Sequence, residues 1–387
     1  MTTSNVTIGA KPVVANDVED AMREQEQDRE HEHGQKKIGS SISPNMMHVR
    51  PRNPEDKPIN IIRKYQKEGR PVFVAGPMVR YSKLPFRKLV RDYKCDIVYS
   101  PMILAREFVR NENARLSDFT TNNSDRPLIV QVGVNNVTDL LRFVEMVQPY
   151  VDGIGINCGC PIKEQVREGI GAALMSNREL VSEMVYEVKK RWGDDICIET
   201  KIRVHDDINE TIDFVKSVEK AGVDFITVHG RTKNTRSSQP ANFDKIRIVK
   251  ENVSVPVIAN GDCFSLKDAY EIREYTKCDG IMAVRGVLNN PAMFAGYEKC
   301  PWGAVERFWD YATAYGLPFR LVQHHLSCMM EGLIERKTLI GLNECNNLVG
   351  LLEWFDQRYD LKRPGEEGFG TSVSVPIRED RSKMANL

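Results

Sequence analysis

The stretch DGIGINCGCPIKEQVREGIGAALMSNRELVSEMVYEVKKRWGDDICIETKIR (residues 152–203) decides the fold. It opens on a β-branched, glycine-rich run, passes through the amphipathic segment NRELVSEMVYEVKKRW (177–192) and closes on ICIETKIR (196–203). Strand, helix and second strand in that order are the unit of a parallel sheet. Outward from it the alternation continues in both directions. Further apolar runs stand at VFVAGPM (72–78), CDIVYSPM (95–102), PLIVQVG (127–133), DFITVHG (224–230), VPVIANGD (255–262) and DGIMAVRG (279–286). Amphipathic stretches such as TDLLRFVEMVQPY (138–150), NETIDFVKSVEKAG (209–222) and SLKDAYEIREYTK (265–277) separate most of them, with Asn177, Asn209 and Ser265 placed as N-caps. Eight such units predict an α/β chain whose strands close into a (β/α)₈ TIM barrel. An open doubly wound sheet is disfavoured because no G-x-G-x-x-G turn follows the first strand.

After Pro301 the strand runs stop, and VERFWDYATAYG, RLVQHHLSCMMEGLIERK and NECNNLVGLLEWFDQRYDL carry helical spacing. The expected organisation is a loose N-terminal tail over 1–57, a barrel over 58–300, a small C-terminal helical domain over 301–364 and a loose tail over 365–387. The N-terminal stretch NDVEDAMREQEQDREHEH (16–33) has no apolar face to bury, and its His31 and His33 read as incidental rather than as metal ligands.

Composition bounds the function. Of 387 residues, 54 are Lys or Arg and 54 are Asp or Glu, which excludes a globally basic nucleic-acid coat but permits a local basic patch. No apolar run is long enough to span a membrane, and the start lacks a signal-peptide layout. Nine cysteines without a regular framework suggest free thiols in a reducing compartment, hence a soluble intracellular chain, cytoplasmic or nuclear. No zinc-type spacing of Cys and His appears, so no metal is expected.

Catalytic groups of such barrels lie at the C-terminal ends of the strands. Those ends here hold Pro77, Met78, Gln131, Asn157 to Cys160, Lys201, His229, Asn260 to Asp262, and Arg285-Gly286. The last two strands of a barrel commonly bind phosphate, and Gly261, Gly286 and Arg285 suit an anion; simple chain turns are the alternative. Lys201 at a strand end suits either a Schiff base or a fixed charge beside an electron-rich ring such as a reduced flavin. His229 is a phosphate or ring contact, a base or a satisfied core histidine. Cys160, ahead of Pro161, suits a thiol acid or nucleophile, whereas Cys95, Cys158, Cys197, Cys278, Cys328 and Cys345 read as small hydrophobes. Basic residues cluster on the expected rim: Arg80, Arg87 and Lys88; Lys163 and Arg167; Arg231, Lys233 and Arg236; and, in the helical region, Arg320, Arg336, Lys337, Arg358, Lys362 and Arg363. Together they would form a track for a phosphate backbone.

AGPMVRYSKLPFR (75–87), INCGCPIKEQVREGIGAALM (156–175), TKIR (200–203), VHGRT (228–232), ANGD (259–262) and MAVRGVLNNPAMF (282–294) resemble the tRNA-dihydrouridine synthases, in order and over roughly residues 58–363. NCGCPIKEQV and the ending GLLEWFDQRYDLKRP are most similar to the eukaryotic branch acting at positions 20a and 20b of the D-loop. The resemblance implies an FMN barrel, a helical domain that helps to hold tRNA, and reduction of a uridine C5–C6 bond with NADPH or NADH as donor. It places Pro77, Met78 and Val79 along the flavin ring, Gln131 and Lys201 at its polar edges, and His229, Asn260, Gly261, Asp262, Val284, Arg285 and Gly286 at the ribityl and phosphate end. Val284 departs from the small residue expected before Arg-Gly. The same resemblance makes Cys160 the proton donor to C5, with hydride passing from the flavin to C6, and Asn157 the position that orients a base flipped out of tRNA. Of the basic rim, Arg80, Lys163, Arg231 and Lys233 are the residues expected to bind the tRNA substrate. A monomer is expected. The rival readings are an FMN barrel acting on a small molecule, such as a dihydroorotate or enone oxidoreductase, and a tRNA-binding factor without catalysis.

Overall fold

The structure, a computed structural model, describes residues 53–378. Most of the expected N-terminal tail, including His31 and His33, lies outside the described residues. All eight apolar runs form strands: β1 Val72–Ala75, β2 Ile97–Tyr99, β3 Leu128–Gly133, β4 Gly153–Cys158, β5 Cys197–Arg203, β6 Phe225–His229, β7 Val257–Asn260 and β8 Gly280–Ala283. Each pairs in parallel with the next, and β8 pairs with β1, so the sheet closes on itself. The chain is a (β/α)₈ TIM barrel.

In chain order the helices are α1 Pro58–Lys67, α2 Leu84–Asp92, α3 Ala105–Arg110, α4 Glu112–Asp118, α5 Val137–Val147, α6 Lys163–Arg167, α7 Arg178–Trp192, α8 Ile208–Lys220, α9 Phe243–Asn252, α10 Leu266–Thr276 and α11 Arg285–Asn289. Beyond the barrel follow α12 Trp302–Ala314, α13 Phe319–Met330, α14 Arg336–Asn343 and α15 Leu348–Asp356. Asn136, Asn177, Asn242 and Ser265 cap α5, α7, α9 and α10 by accepting a first-turn backbone N–H. The cap of α8 is Asp207 rather than the expected Asn209, whose own N–H donates to Asp207 at 2.9 Å.

Strand periodicity sorts the side chains into two cores. Inward-facing Val72, Val74, Ile97, Tyr99, Ile129, Cys197, Phe225, Ile258 and Met282 fill the barrel and meet Ile59 and Ile62 of α1, which plugs its floor. Outward-facing Ile154, Ile156, Cys158, Ile198, Ile202, Ile226 and Val228 pack under the surrounding helices.

Four aspartates fix the register of this barrel. Asp96, Asp152, Asp224 and Asp279 stand just before the even strands, and each carboxylate accepts the N–H of Phe73, Leu128, Ile198 or Val257 in or at the start of the preceding strand, at 2.7–2.8 Å. Each aspartate also donates its own N–H back to the carbonyl of that same residue.

The later helices pack against the barrel through α2. Tyr311 donates to Asp92 at 2.6 Å, Lys88 lies over the Tyr311 ring, and Phe86 stacks on His325 of α13 while Phe308 meets the same ring at a tilt. Of the tail expected to be loose over 365–387, residues 379–387 lie outside the described residues, while 365–378 make defined pairings: Gly303 N–H donates to Ser372 O at 2.7 Å, Gly370 N–H to Glu306 at 2.7 Å, and Tyr359 bridges Ile377. Low apolar content hid backbone pairing that needs no side chain. Within residues 235–240 the chain turns through Arg236 N–H donating to Gln239 Oε1 at 3.2 Å.

Arg87, assigned to the basic rim by its sequence position, is instead enclosed. It meets Asp125 at 2.6 Å, Arg91 reaches the same carboxylate at 2.6 Å, and Arg87 also donates to Ser82 O and Thr120 O. Burial alone would raise the Asp125 carboxyl, but the two guanidiniums override it and hold the group at about 2. Because the folded value lies below the unfolded one of about 4, the stabilisation is complete above pH 4 and is lost as pH falls towards 2. Asp125→Ala is expected to cost about 3–5 kcal/mol at pH 7, since it strands buried positive charge. Urea unfolding at pH 7 and in steps down to pH 3 checks this, and the gap between variant and parent should narrow with acid.

Candidate functional site

The register carries a ring of polar side chains to the barrel mouth. Asn157 sits opposite Lys201, Arg203 opposite His229, and His229 opposite Asn260. Asn157 donates to Gln131 Oε1 at 2.9 Å, and both residues are buried. The Gln131 Nε2 atom finds no hydrogen-bond partner among the described residues. A buried amide donor left in this way costs about 1–3 kcal/mol unless a ligand or water accepts from it.

The loop after β4 is held at three points. Asn157 Oδ1 accepts the N–H groups of Gly159 and Cys160 at 3.0 and 2.9 Å. Arg203 donates to Gly159 O at 2.8 Å and to Thr232 O at 2.8 Å, strapping the β4 loop to the β6 loop. Ala172 N–H donates to Cys160 O at 2.8 Å. Gly171, at φ +63, lies so close beneath that a Cβ there would sit 2.6 Å from the Cys160 carbonyl oxygen. This explains G-x-G-A-x-L in physical terms: the second glycine is the shelf for the cysteine loop.

The two thiols part here. Cys158 ends β4 facing the outer core, fully enclosed, while Cys160 is partly open to the mouth. Burial pushes both thiols up; for Cys160 the nearby Arg203 and Lys201 charges pull the other way without prevailing. Cys160 is therefore a protonated thiol at neutral pH, a donor rather than a thiolate.

Cations crowd the opposite side of the mouth. Arg231 lies 2.5 Å from Asp262, Arg285 reaches the same carboxylate at 2.9 Å, and Arg231 Nη1 lies 3.2 Å from His229 Nε2. Arginine only donates, so His229 Nε2 accepts and its proton sits on Nδ1. Burial, reinforced by Lys201, Arg203, Arg231 and Arg285, holds His229 well below its ordinary value, so the ring is neutral. A Cβ on Gly261 would lie 3.6 Å from that ring and 3.8 Å from Arg231 Nη1, which puts the Asn260–Asp262 turn and the His229 pair at one spot. An excess of fixed positive charge in a partly enclosed cleft is the electrostatics of an anion site. Among the described residues no group of His, Cys, Asp and Glu converges to hold a metal ion.

The remaining sequence-assigned residues fall into two sets. Pro77 and Met78 line the mouth on the loop after β1, with Met78 N–H donating to Ser82 Oγ at 2.9 Å; Val79 is exposed and Arg80 adopts φ +67. Val284, the departure from a small residue, packs into the space left by Gly76, where a Cβ would come within 2.8 Å of its Cγ2. Lys163 and Lys233 are exposed on the rim. Arg231 is not: it is 3% exposed and ion-paired to Asp262, so its place is with the anion end rather than on the rim. An arginine in a loop looks the same in sequence whether it meets solvent or a carboxylate 31 residues away. Arg203 of TKIR joins the site without a sequence-assigned role; the signal for it is its position two residues beyond Lys201, on the same strand face.

The dihydrouridine synthase family model matches residues 73–379. A tRNA-dihydrouridine(20a/20b) synthase (NAD(P)+) of Saccharomyces cerevisiae is 59% identical over 330 residues, covering 84% of this chain and 90% of that protein. Its counterpart of the same name in Schizosaccharomyces pombe is 49% identical, covering 83% of this chain and 97% of the relative. A human protein described as like that synthase is 45% identical, covering 76% of this chain and 92% of its own length.

The two thiols should differ in native alkylation. Iodoacetamide followed by peptide mass spectrometry is expected to label Cys160 and spare Cys158. The Cys160 rate at pH 7 should fall below that of an unstructured cysteine peptide and rise with a midpoint above about 8.5.

Proposed function

The chain belongs to the dihydrouridine synthase family, and from that premise we propose that it reduces uridines of tRNA, at positions 20a and 20b, to 5,6-dihydrouridine with NADPH or NADH as donor. The single observation that carries this reading is the meeting of the pinned Cys160 loop, Lys201 and the unpartnered Gln131 amide at one barrel mouth.

The residues present fit FMN. The Gln131 Nε2 donor supplies a hydrogen bond that a flavin ring carbonyl or nitrogen accepts, and Lys201 supplies charge at the electron-rich edge. Pro77, Met78 and Val79 would flank the ring, while Asn260, Gly261, Val284, Arg285 and Gly286 would take the ribityl and phosphate end. His229 adds an Nδ1 donor there, and Asp262 holds Arg231 and Arg285 against it. FMN when bound supplies the hydride that goes to C6 of uracil. Cys160 then donates its proton to C5, as a thiol kept protonated at neutral pH can do, and Asn157 orients the loop that carries it.

The uridine has to leave the base stack to reach this depth. Exposed Lys163 and Lys233 and half-exposed Arg80 border the mouth, and the helices from residue 301 onward add exposed Arg320, Arg336 and Lys337 for the tRNA backbone. The activity named for the yeast relatives supports this choice of substrate.

Single-turnover reoxidation of the reduced enzyme by tRNA tests the assignment. Cys160→Ala should keep its flavin and tRNA binding yet slow the step by about 10²–10⁴-fold, whereas Cys158→Ala should stay within a few-fold of the parent. Lys201→Ala should lose flavin or its reduction by NADPH. Neutralising Lys163 and Lys233 together should weaken tRNA binding at unchanged flavin content and lower the salt slope by about two. A colourless parent protein, or normal turnover in the Cys160 variant, overturns the reading.

A further inference from the structure

The inward face of strand β5 carries Cys197, Glu199 and Lys201 from floor to mouth, with Arg203 following at the strand's end. The middle one has no role in the account above. Glu199 is fully enclosed and sits opposite Gly155 of β4 and Phe225 of β6. Its carboxylate leans across the glycine: a Cβ at Gly155 would lie 2.5 Å from Glu199 Oε2 and 3.3 Å from the Tyr99 ring. The Thr227 and Tyr99 hydroxyls face the carboxylate and counter the burial that pushes it up, but neither reaches it in good hydrogen-bond geometry, nor does any other described residue.

A carboxyl group in a barrel interior is costly unless something nearby uses its charge. On its own face that something is Lys201, one inward position nearer the mouth. Burial pushes Glu199 up and Lys201 down, and each charge opposes the shift of the other. The groups bearing on the pair are Tyr99 from β2, Cys158 and Cys160 from β4 and its loop, Thr227 and His229 from β6, and Arg203 from β5 itself. Arg203 is the cation among them. At Lys201 burial and the neighbouring Arg203 favour loss of the proton, while Glu199 foremost, and Cys160 after it, favour keeping it.

We propose that Glu199 is a positioning residue for the reductive chemistry: from the layer beneath Lys201 it keeps that ammonium charged and directed at the mouth, and so sets how strongly the site favours the reduced over the oxidised flavin. This rests on the flavin reading above. Gly155 belongs to the same device, since any side chain there would displace the carboxylate.

Glu199→Gln keeps shape and hydrogen-bonding capacity and removes charge, so a purely structural carboxyl that only bonds water, Tyr99 and Thr227 would leave both readouts below unmoved. In ¹³C-lysine-labelled protein, with the Lys201 signal assigned by its absence in Lys201→Arg, the Lys201 titration is expected to move to lower pH by about one unit or more in Glu199→Gln. Glu199→Asp should recover part of the shift. In flavin-loaded protein the preference for reduced over oxidised cofactor should fall about tenfold, one unit of lost charge interaction.

An unmoved lysine titration overturns the proposal. A moved titration with an unchanged flavin potential overturns its link to the cofactor. A parent chain that holds no flavin at all overturns the flavin reading and this role with it, while the lysine titration still tells whether the two groups are coupled. Should the amide variant not fold, carboxyl-labelled parent protein serves instead: Glu199 and Lys201 should each show the other's step. Independent single-step titrations would sink the pair.

Discussion

The carboxylates at the foot of the barrel carry the rest of the structure. Asp96, Asp152, Asp224 and Asp279 each exchange two hydrogen bonds with one residue of the preceding strand, a charge-assisted bond from the side chain and an ordinary one through the backbone. A strand paired one residue out of step turns every side chain to the other face. In this barrel such a slip would send Gln131, Asn157, Lys201, His229 and Asn260 into the apolar layer under the helices. Bonds of this kind contribute about 1.5–3 kcal/mol each, and four of them join the strands two by two. Arg70, Lys189 and Lys250 pair with three of the four carboxylates from outside, at 2.8, 3.1 and 2.7 Å.

With register fixed, polarity rises along the barrel axis. The floor is Ile59 and Ile62 against Val72, Ile97, Cys197 and Phe225, which excludes water. The middle layer mixes Val74, Ile258 and Met282 with Tyr99, Glu199 and Thr227. The mouth is cationic. A sequence chosen for stability alone would not place a lone carboxyl in the middle and several cations above it, and the conflict with local packing rules marks the site. Asp262 and Glu199 counter that charge from two directions, one beside Arg231 and Arg285 and the other beneath Lys201.

Elements were legible because their signals are local. β-branched runs, alternating faces and Asn or Ser caps lie within a few residues of what they specify, and all eight strands followed from them. The polar residues at the strand ends were legible for the same reason, since period two carries them inward. Partnerships were not. Arg87 and Arg231 read as rim cations because the carboxylates that bury them, Asp125 and Asp262, stand 38 and 31 residues downstream. Asp207 displaced Asn209 as a cap by two positions, a distance below what helix patterning resolves. Glu199 went unnoticed inside ICIETKIR because a glutamate in a strand reads as solvent-facing, and the empty space beside Gly155 that admits it is a property of the neighbouring strand.

The loop after β1 shows why barrel and later helices are one piece of machinery. Pro77, Met78 and Val79 lie on it, and it is gripped from two sides. On the barrel side Asp125 holds Arg87, Arg87 donates to Ser82 O, and Ser82 Oγ accepts the Met78 N–H. On the helical side His325 of α13 bonds to Tyr81 O at 3.1 Å, while His324 stacks on the Tyr81 ring with centroids 4.4 Å apart. A carbonyl only accepts, so His325 Nε2 must carry the proton. Burial holds the ring far below its ordinary value, at about 3, which keeps it neutral and able to sit among Phe86 and Phe308. The helices beyond residue 301 therefore do more than extend a surface. They close one half of the clamp on the loop that lines the mouth, so the barrel cut away from them would keep its strands and lose the geometry of the site.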